Sequence, residues 1–250
     1  MNNRKITVQV IIFSVFVLLW SLLWTIYKTE LSELYTQQWY FYYLFGLVPA
    51  IGLSLGALVF RKNNITGNFT LSGKNGVRSV TAAVIPVILL TIVGVANSYQ
   101  VQENIFGFYT GCIVLVYVLM EEYGWRGYLH PALFSTGLNK WLVYVITGSI
   151  WYLWHWFFLR SESGSSKIAL LPLLIFASAG LDIILQKTKS ILWCGSFHSI
   201  VNILFMYGVV SNAISKLEKA IILLVSILIW TLLLKRYNAS KHKITKDPYK

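Results

Sequence analysis

Long apolar runs, broken by short basic or turn-rich stretches, set the pattern of this chain. Eight runs read as helices: Thr7–Tyr27, Tyr40–Phe60, Val80–Ala96, Ile105–Glu122, Trp141–Leu159, Ile168–Gln186, Ile191–Val210 and Ala220–Leu234. Most approach the roughly 20 residues that span a bilayer as a helix. The pattern predicts an all-α, polytopic membrane helix bundle, with 1–250 as a single integral membrane domain. The stretch "RKNNITGNFTLSGKNGVRS" is turn-rich and basic, and 235–250 forms a basic, solvated tail. The first run is longer than the roughly 7–15 apolar residues of a secretory signal and ends in "SLLWTIYKTE", without a small-residue cleavage site. It is expected to stay as a helix.

Composition agrees. Charged residues make up 12% of the chain, against about 25% in a soluble domain. The formal charge of +12 suggests nucleic acid at first sight. That class is excluded because the Lys and Arg residues sit in short loops beside apolar runs, where they set topology. With a cytosolic N-terminus, that side carries Arg4, Lys5, Arg61, Lys62, Lys74, Arg78, Arg126, Lys140, Lys187, Lys189 and the six basic residues of the tail. The other side carries only Lys28, Arg160, Lys167, Lys216 and Lys219. Both termini are therefore expected on the cytosolic side of a cell membrane. Cys112 and Cys194 both fall inside apolar runs and read as small buried side chains.

Ionisable residues inside spans cost about 2.5–3.5 kcal/mol each on the lenient scale, so they mark functional candidates. The set is Glu121, Glu122, Arg126, His155, Asp182 and His198, with Asn202 as a polar neighbour. Glu122 and Arg126 stand i, i+4 with the acid first, the favourable order for a helical ion pair. Glu121 points about 100° away and has no local cation. His155 follows Trp151 by one turn in "SIWYLWHWFF", and "GSFHSIVNILF" puts His198 and Asn202 on one helix face. Alone, each pair also reads as structural glue between helices. Together, a carboxylate, two histidines and an amide on three helices are the parts of a water-activating hydrolase.

These motifs, Glu-Glu-x-x-x-Arg at 121–126, aromatic-x-x-x-His at Trp151 and His155, and His-x-x-x-Asn at His198 and Asn202, carry a resemblance. The stretch 119–205 resembles the CAAX prenyl protease 2-like group, the CPBP intramembrane glutamic proteases, which includes bacterial homologues linked to bacteriocin immunity and peptide processing. The resemblance implies that Glu121 and His155 activate a water, that His198 and Asn202 hold the oxyanion, and that Glu122 and Arg126 order the site. It implies no metal or other cofactor, and a membrane-associated peptide or protein cut near the cytosolic face. Trp151 stands where the family usually has Phe and is expected to shape the pocket wall. Usage rich in Lys, Ile and Asn points to a bacterial source, where an unprenylated peptide is the expected substrate.

One feature of the spacing conflicts with a shared site. At ~1.5 Å per residue, His198 lies about 10 Å from the cytosolic surface, as does Glu121 if its helix runs on towards Pro131, but His155 comes out about 20 Å deep. His130, beside Pro131, is expected in a loop or helix end. Asp182 is expected near the cytosolic end of its helix, as a lesser candidate for the site. Two other classes fit parts of the pattern. Glu with two His suits zinc, but the His-Glu-x-x-His spacing is absent. A non-catalytic immunity or scaffold protein would keep the motifs without cutting.

Overall fold

The computed structural model describes residues 3–35, 40, 44–61, 69–157, 164–206 and 208–244. Residues 41–43 of the second expected span, and Lys62, Arg160, Lys246 and Lys250, lie outside the described residues. Every named element is a helix: α1 (Asn3–Tyr35), α2 (Val48–Arg61), α3 (Gly76–Val93), α4 (Glu103–Gly124), α5 (His130–Ser135), α6 (Lys140–Trp156), α7 (Gly164–Thr188), α8 (Ile191–Val201), α9 (Gly208–Ser211) and α10 (Lys216–Ile244). Each of the eight expected spans overlaps a helix among the described residues, although the helix of the second starts only at Val48 and that of the third ends at Val93. Among the described residues, five helical stretches are long and apolar enough to cross a bilayer, and Val48–Arg61 and Ile191–Phe205 are shorter apolar helices. Large apolar side chains such as Phe176, Ile183, Ile92 and Leu224 are exposed on the outside of the bundle. Water would penalise such a surface, whereas lipid solvates it.

The helices close up through small residues, as lipid-solvated bundles must, because burial of apolar surface gives no net drive between them. A Cβ on Gly107 of α4 would lie 2.5 Å from the Leu90 carbonyl of α3. One on Gly148 of α6 would lie 2.7 Å from the Ile175 Cα of α7. Neither position has room for a side chain.

Two departures from the expected elements reposition the site. First, α4 does not stop at Glu122. It passes through a π-helical turn, Trp125–Leu129, in which the His130 amide donates to the Trp125 carbonyl, and continues as α5 to Ser135. Pro131 is accommodated in the first turn of α5, where its missing N–H matters least. His130 is thus helical and buried, not in a loop.

Second, the α7–α8 turn is not at the surface. Thr188 and Ser190 are fully buried beneath the loop 69–74, which bonds to it through Thr70 N–H to the Lys189 carbonyl (3.0 Å) and Lys74 N–H to the Thr188 carbonyl (3.1 Å). Gly73, with φ +64°, makes this contact possible, since a Cβ there would strike the Thr188 carbonyl.

These two facts remove the conflict in depth. Glu121 stands fourteen residues before Ser135 and His155 fifteen after Lys140, so both lie about 20 Å along their helices from one end of the bundle. His198 reaches the same level because its helix starts from a buried turn. The site thus lies about 20 Å along these helices from the end of the bundle that holds Ser135 and Lys140. The tail also differs from expectation, since α10 runs on as helix to Ile244.

Candidate active site

Glu121 and Glu122 are both fully buried, and the chain gives them different partners. Glu122 Oε1 accepts from Arg126 Nη1 at 3.1 Å and from His198 Nδ1 at 2.9 Å. The expected i, i+4 ion pair is therefore present, but through one nitrogen and without a two-pronged fork. The guanidinium also lies 4.5 Å from the centre of the Trp151 ring, and its Nη2 reaches the Ala177 carbonyl of α7 at 3.5 Å. Arg126 is thus a core residue and contributes nothing to the loop charge that sets topology. A buried cation this close to an indole face gains from the ring quadrupole as well as from the carboxylate.

Glu121 has no cation but is not loose. Its Oε2 accepts from the indole N–H of Trp151 at 2.9 Å and from that of Trp125 at 3.3 Å. Its Oε1 is buried without a hydrogen-bond partner among the described residues, as is Oε2 of Glu122. A buried carboxylate oxygen left unpaired is costly and calls for a functional explanation. Trp125 was not singled out from the sequence, although it stands i+4 from Glu121, the spacing that brings side chains together on a helix.

The histidines meet these carboxylates around Trp151. The His198 ring packs edge-on against Trp151 with centroids 5.2 Å apart, and His155 packs edge-on against Trp154 at 4.9 Å. His155 Nδ1 lies 3.0 Å from the Trp151 carbonyl, an acceptor only. It must therefore carry its proton there, which leaves Nε2 with the lone pair when the ring is neutral. His198 Nδ1 likewise donates to Glu122. For His198 to donate from Nε2 as well, it must be the imidazolium, with Glu122 as counter-charge.

Trp151, His155, His198 and Asn202 all line one cavity of about 390 Å³, walled otherwise by apolar side chains of α7 and α8. Glu121 does not line it and stands one hydrogen bond behind Trp151. Asn202 opens a second π-helical turn, Asn202–Met206. Both π turns thus coincide with the motif residues, as such turns often do at functional sites.

Asp182 is absent from the cavity wall. It forms a separate buried cluster with Tyr144 Oη (2.9 Å), Gln186 Nε2 (3.2 Å) and His130 Nε2 (3.2 Å, not aligned for a hydrogen bond). His130 stacks on Tyr144 with the planes 9° apart. These residues tie α5, α6 and α7 together. Both cysteines are free, and Cys194 is buried as expected. Among the described residues, no three His, Cys, Asp or Glu side chains are grouped to hold a metal ion.

The molecule is thus a helical membrane bundle with a carboxylate–histidine site in its interior. Residues 102–204 match the family described as Rce1-like, type II CAAX prenyl endopeptidase, and this segment holds every motif residue named above. This central segment is similar to the CAAX protease family, and at the level of that family the likeness is to a multi-pass membrane endopeptidase. Neither a curated protein nor a solved structure matches the chain.

Proposed function

We propose that the protein cuts a membrane-associated peptide or protein by direct attack of water, deep in the bundle, with Glu121 as the base. The observation that carries this reading is the convergence of His155, His198 and Asn202 on one cavity, with the unpaired oxygen of Glu121 just behind its wall. Water adds to the scissile carbonyl carbon as its proton passes to Glu121, with the Nε2 lone pair of His155 positioning the water. The carbonyl oxygen becomes an oxyanion and accepts from His198 Nε2–H and the Asn202 amide, donors already fixed before the charge develops. Collapse breaks the C–N bond, and the proton held by Glu121 leaves with the amine. Glu122 accepts from His198 Nδ1 and keeps the ring in place, and Arg126 holds Glu122.

One contact favours a second arrangement. The 2.9 Å bond from His198 Nδ1 to Glu122 is also how a carboxylate orients a histidine base. The two assignments separate in the isosteric amides, assayed for peptide cleavage, peptide binding and melting. Glu121→Gln is expected to abolish turnover while peptide still binds, since ground-state contacts survive. Glu122→Gln is expected to lower both stability and rate, because breaking a buried ion pair costs about 3–5 kcal/mol. Wild-type cleavage by Glu121→Gln, with none by Glu122→Gln, would move the base to His198. Wild-type protein that cuts no peptide, and leaves the membrane peptidome the same as Glu121→Gln does, would favour a non-catalytic immunity or scaffold role.

A further inference from the structure

Among the glycines inside the described helices, Gly180 alone has open space where a side chain would stand. Gly107 and Gly148 are needed for close helix approach, and Gly73, Gly94 and Gly137 take positive φ. Gly180, in the middle of α7, has neither reason: its φ is not positive, and a Cβ there meets nothing within 4 Å. A glycine in a helix interior sacrifices stability relative to alanine. What it provides here is space, and the space is the cavity beside His155, His198 and Asn202.

Leu173, Ala177, Gly180 and Ile184 follow one another at i, i+4, i+7 and i+11, so they form one face of α7. All four line the cavity, opposite Phe197 and Val201 of α8. The two small residues at the centre of that face leave a gap between α7 and α8, and Gly180 and Val201 at its edge are exposed on the protein surface. Among the described residues no Asp, Glu, Lys or Arg lines the cavity, and the face that Gly180 belongs to is apolar, so a charged side chain set against it would lose hydration. The volume, about 390 Å³, is at the lower end of ligand-binding pockets and exceeds what one side chain fills.

We propose that Gly180 is a specificity-determining residue: the gap it leaves between α7 and α8 admits a bulky apolar side chain of the substrate segment next to the bond presented to His155, His198 and Asn202. The proposal rests on the proteolytic reading for its meaning, but binding tests it without turnover. A substrate backbone held by the His198 and Asn202 donors places a neighbouring side chain against α7, where Gly180 sets how large that group can be. Small or charged residues at that position forgo the contact.

The probe is a membrane-spanning Leu/Ala peptide carrying one photoreactive leucine, with unlabelled peptides bearing Phe or Ala at the same position as competitors. Full-length protein in nanodiscs carries Glu121→Gln so that binding is read alone, with and without Gly180→Ala or Gly180→Leu. The Phe peptide is expected to compete about tenfold better than the Ala peptide, the discrimination one well-filled apolar pocket supplies. Gly180→Leu should bring that ratio close to one, Gly180→Ala should give an intermediate value, and neither should lower the melting temperature. A ratio that survives Gly180→Leu, or equal loss of both peptides in a variant that melts as wild type, would overturn the proposal. Cleavage by the protein with Glu121 intact is scored separately and bears on the proteolytic reading alone.

Discussion

Trp151 does more at the residue scale than its place in an aromatic-x-x-x-His motif implies. It donates to Glu121, lies against the Arg126 guanidinium, packs on His198 and lines the cavity. The family's usual Phe at this position would keep the ring contacts and lose the hydrogen bond, so the second indole on Glu121 goes beyond the shared motif. Hydrogen bonds to a charged group contribute about 1.5–3 kcal/mol. If that bond aims the free oxygen of Glu121 at water, Trp151→Phe should lower kcat about tenfold with KM unchanged, since each 1.36 kcal/mol is tenfold in rate. A double-mutant cycle read on melting temperature checks that the bond runs to Glu121: in the Glu121→Gln background the Phe substitution should cost less stability than in the wild type. A raised KM at constant kcat would reduce Trp151 to a piece of wall. Local spacing made much of this legible. The pairs at i, i+4 (Glu122 with Arg126, His198 with Asn202, Glu121 with Trp125) are all readable from a helix. The partners that cross between helices, His198 with Glu122 and Trp151 with Glu121, were not, because nothing in a single helix fixes its neighbour's register.

At the scale of elements, apolar run length was enough to locate the helices, because lipid leaves the backbone few alternatives. It failed where local signals compete. The run read as ending at Glu122 instead passes through the π turn and continues as helix to Ser135. The burial of the α7–α8 turn depends on a loop more than a hundred residues earlier. The Asp182 cluster was hidden for the same reason: His130, Tyr144 and Asp182 are far apart in sequence and meet only when α5, α6 and α7 pack. Asp182, itself nearly enclosed, accepts from the buried Tyr144 hydroxyl and from the exposed Gln186 amide, so deleting it leaves the Tyr144 hydroxyl buried and unpaired. Such a group costs about 1–3 kcal/mol. Asp182→Ala should therefore lower the melting temperature in detergent by several degrees. Cleavage below that transition should stay near the wild-type rate, because the cluster does not touch the cavity. An unchanged melting point would mean that packing alone holds these helices.

At the scale of the molecule, the remaining question is which way the bundle faces. Arg126 must be struck from the charge count, since it is buried against Glu122. Fifteen basic residues then remain on the side expected to be cytosolic against five on the other, so the bias survives the correction. Two contacts support the grouping independently. Asn3 Nδ2 donates to the Thr136 carbonyl at 3.4 Å, which puts the start of α1 beside the α5–α6 turn. The segment at Thr70 pairs with that at Ser190. Both contacts join segments that the charge count assigns to the same side. We predict that both ends of the chain face the cytosol and that the α3–α4 connection faces outward. In a background with Cys112 and Cys194 replaced by Ala, Ser98→Cys should react with an impermeant maleimide in intact cells. Ser240→Cys should react only after the membrane is opened. Labelling of Ser240→Cys in intact cells would invert the bundle.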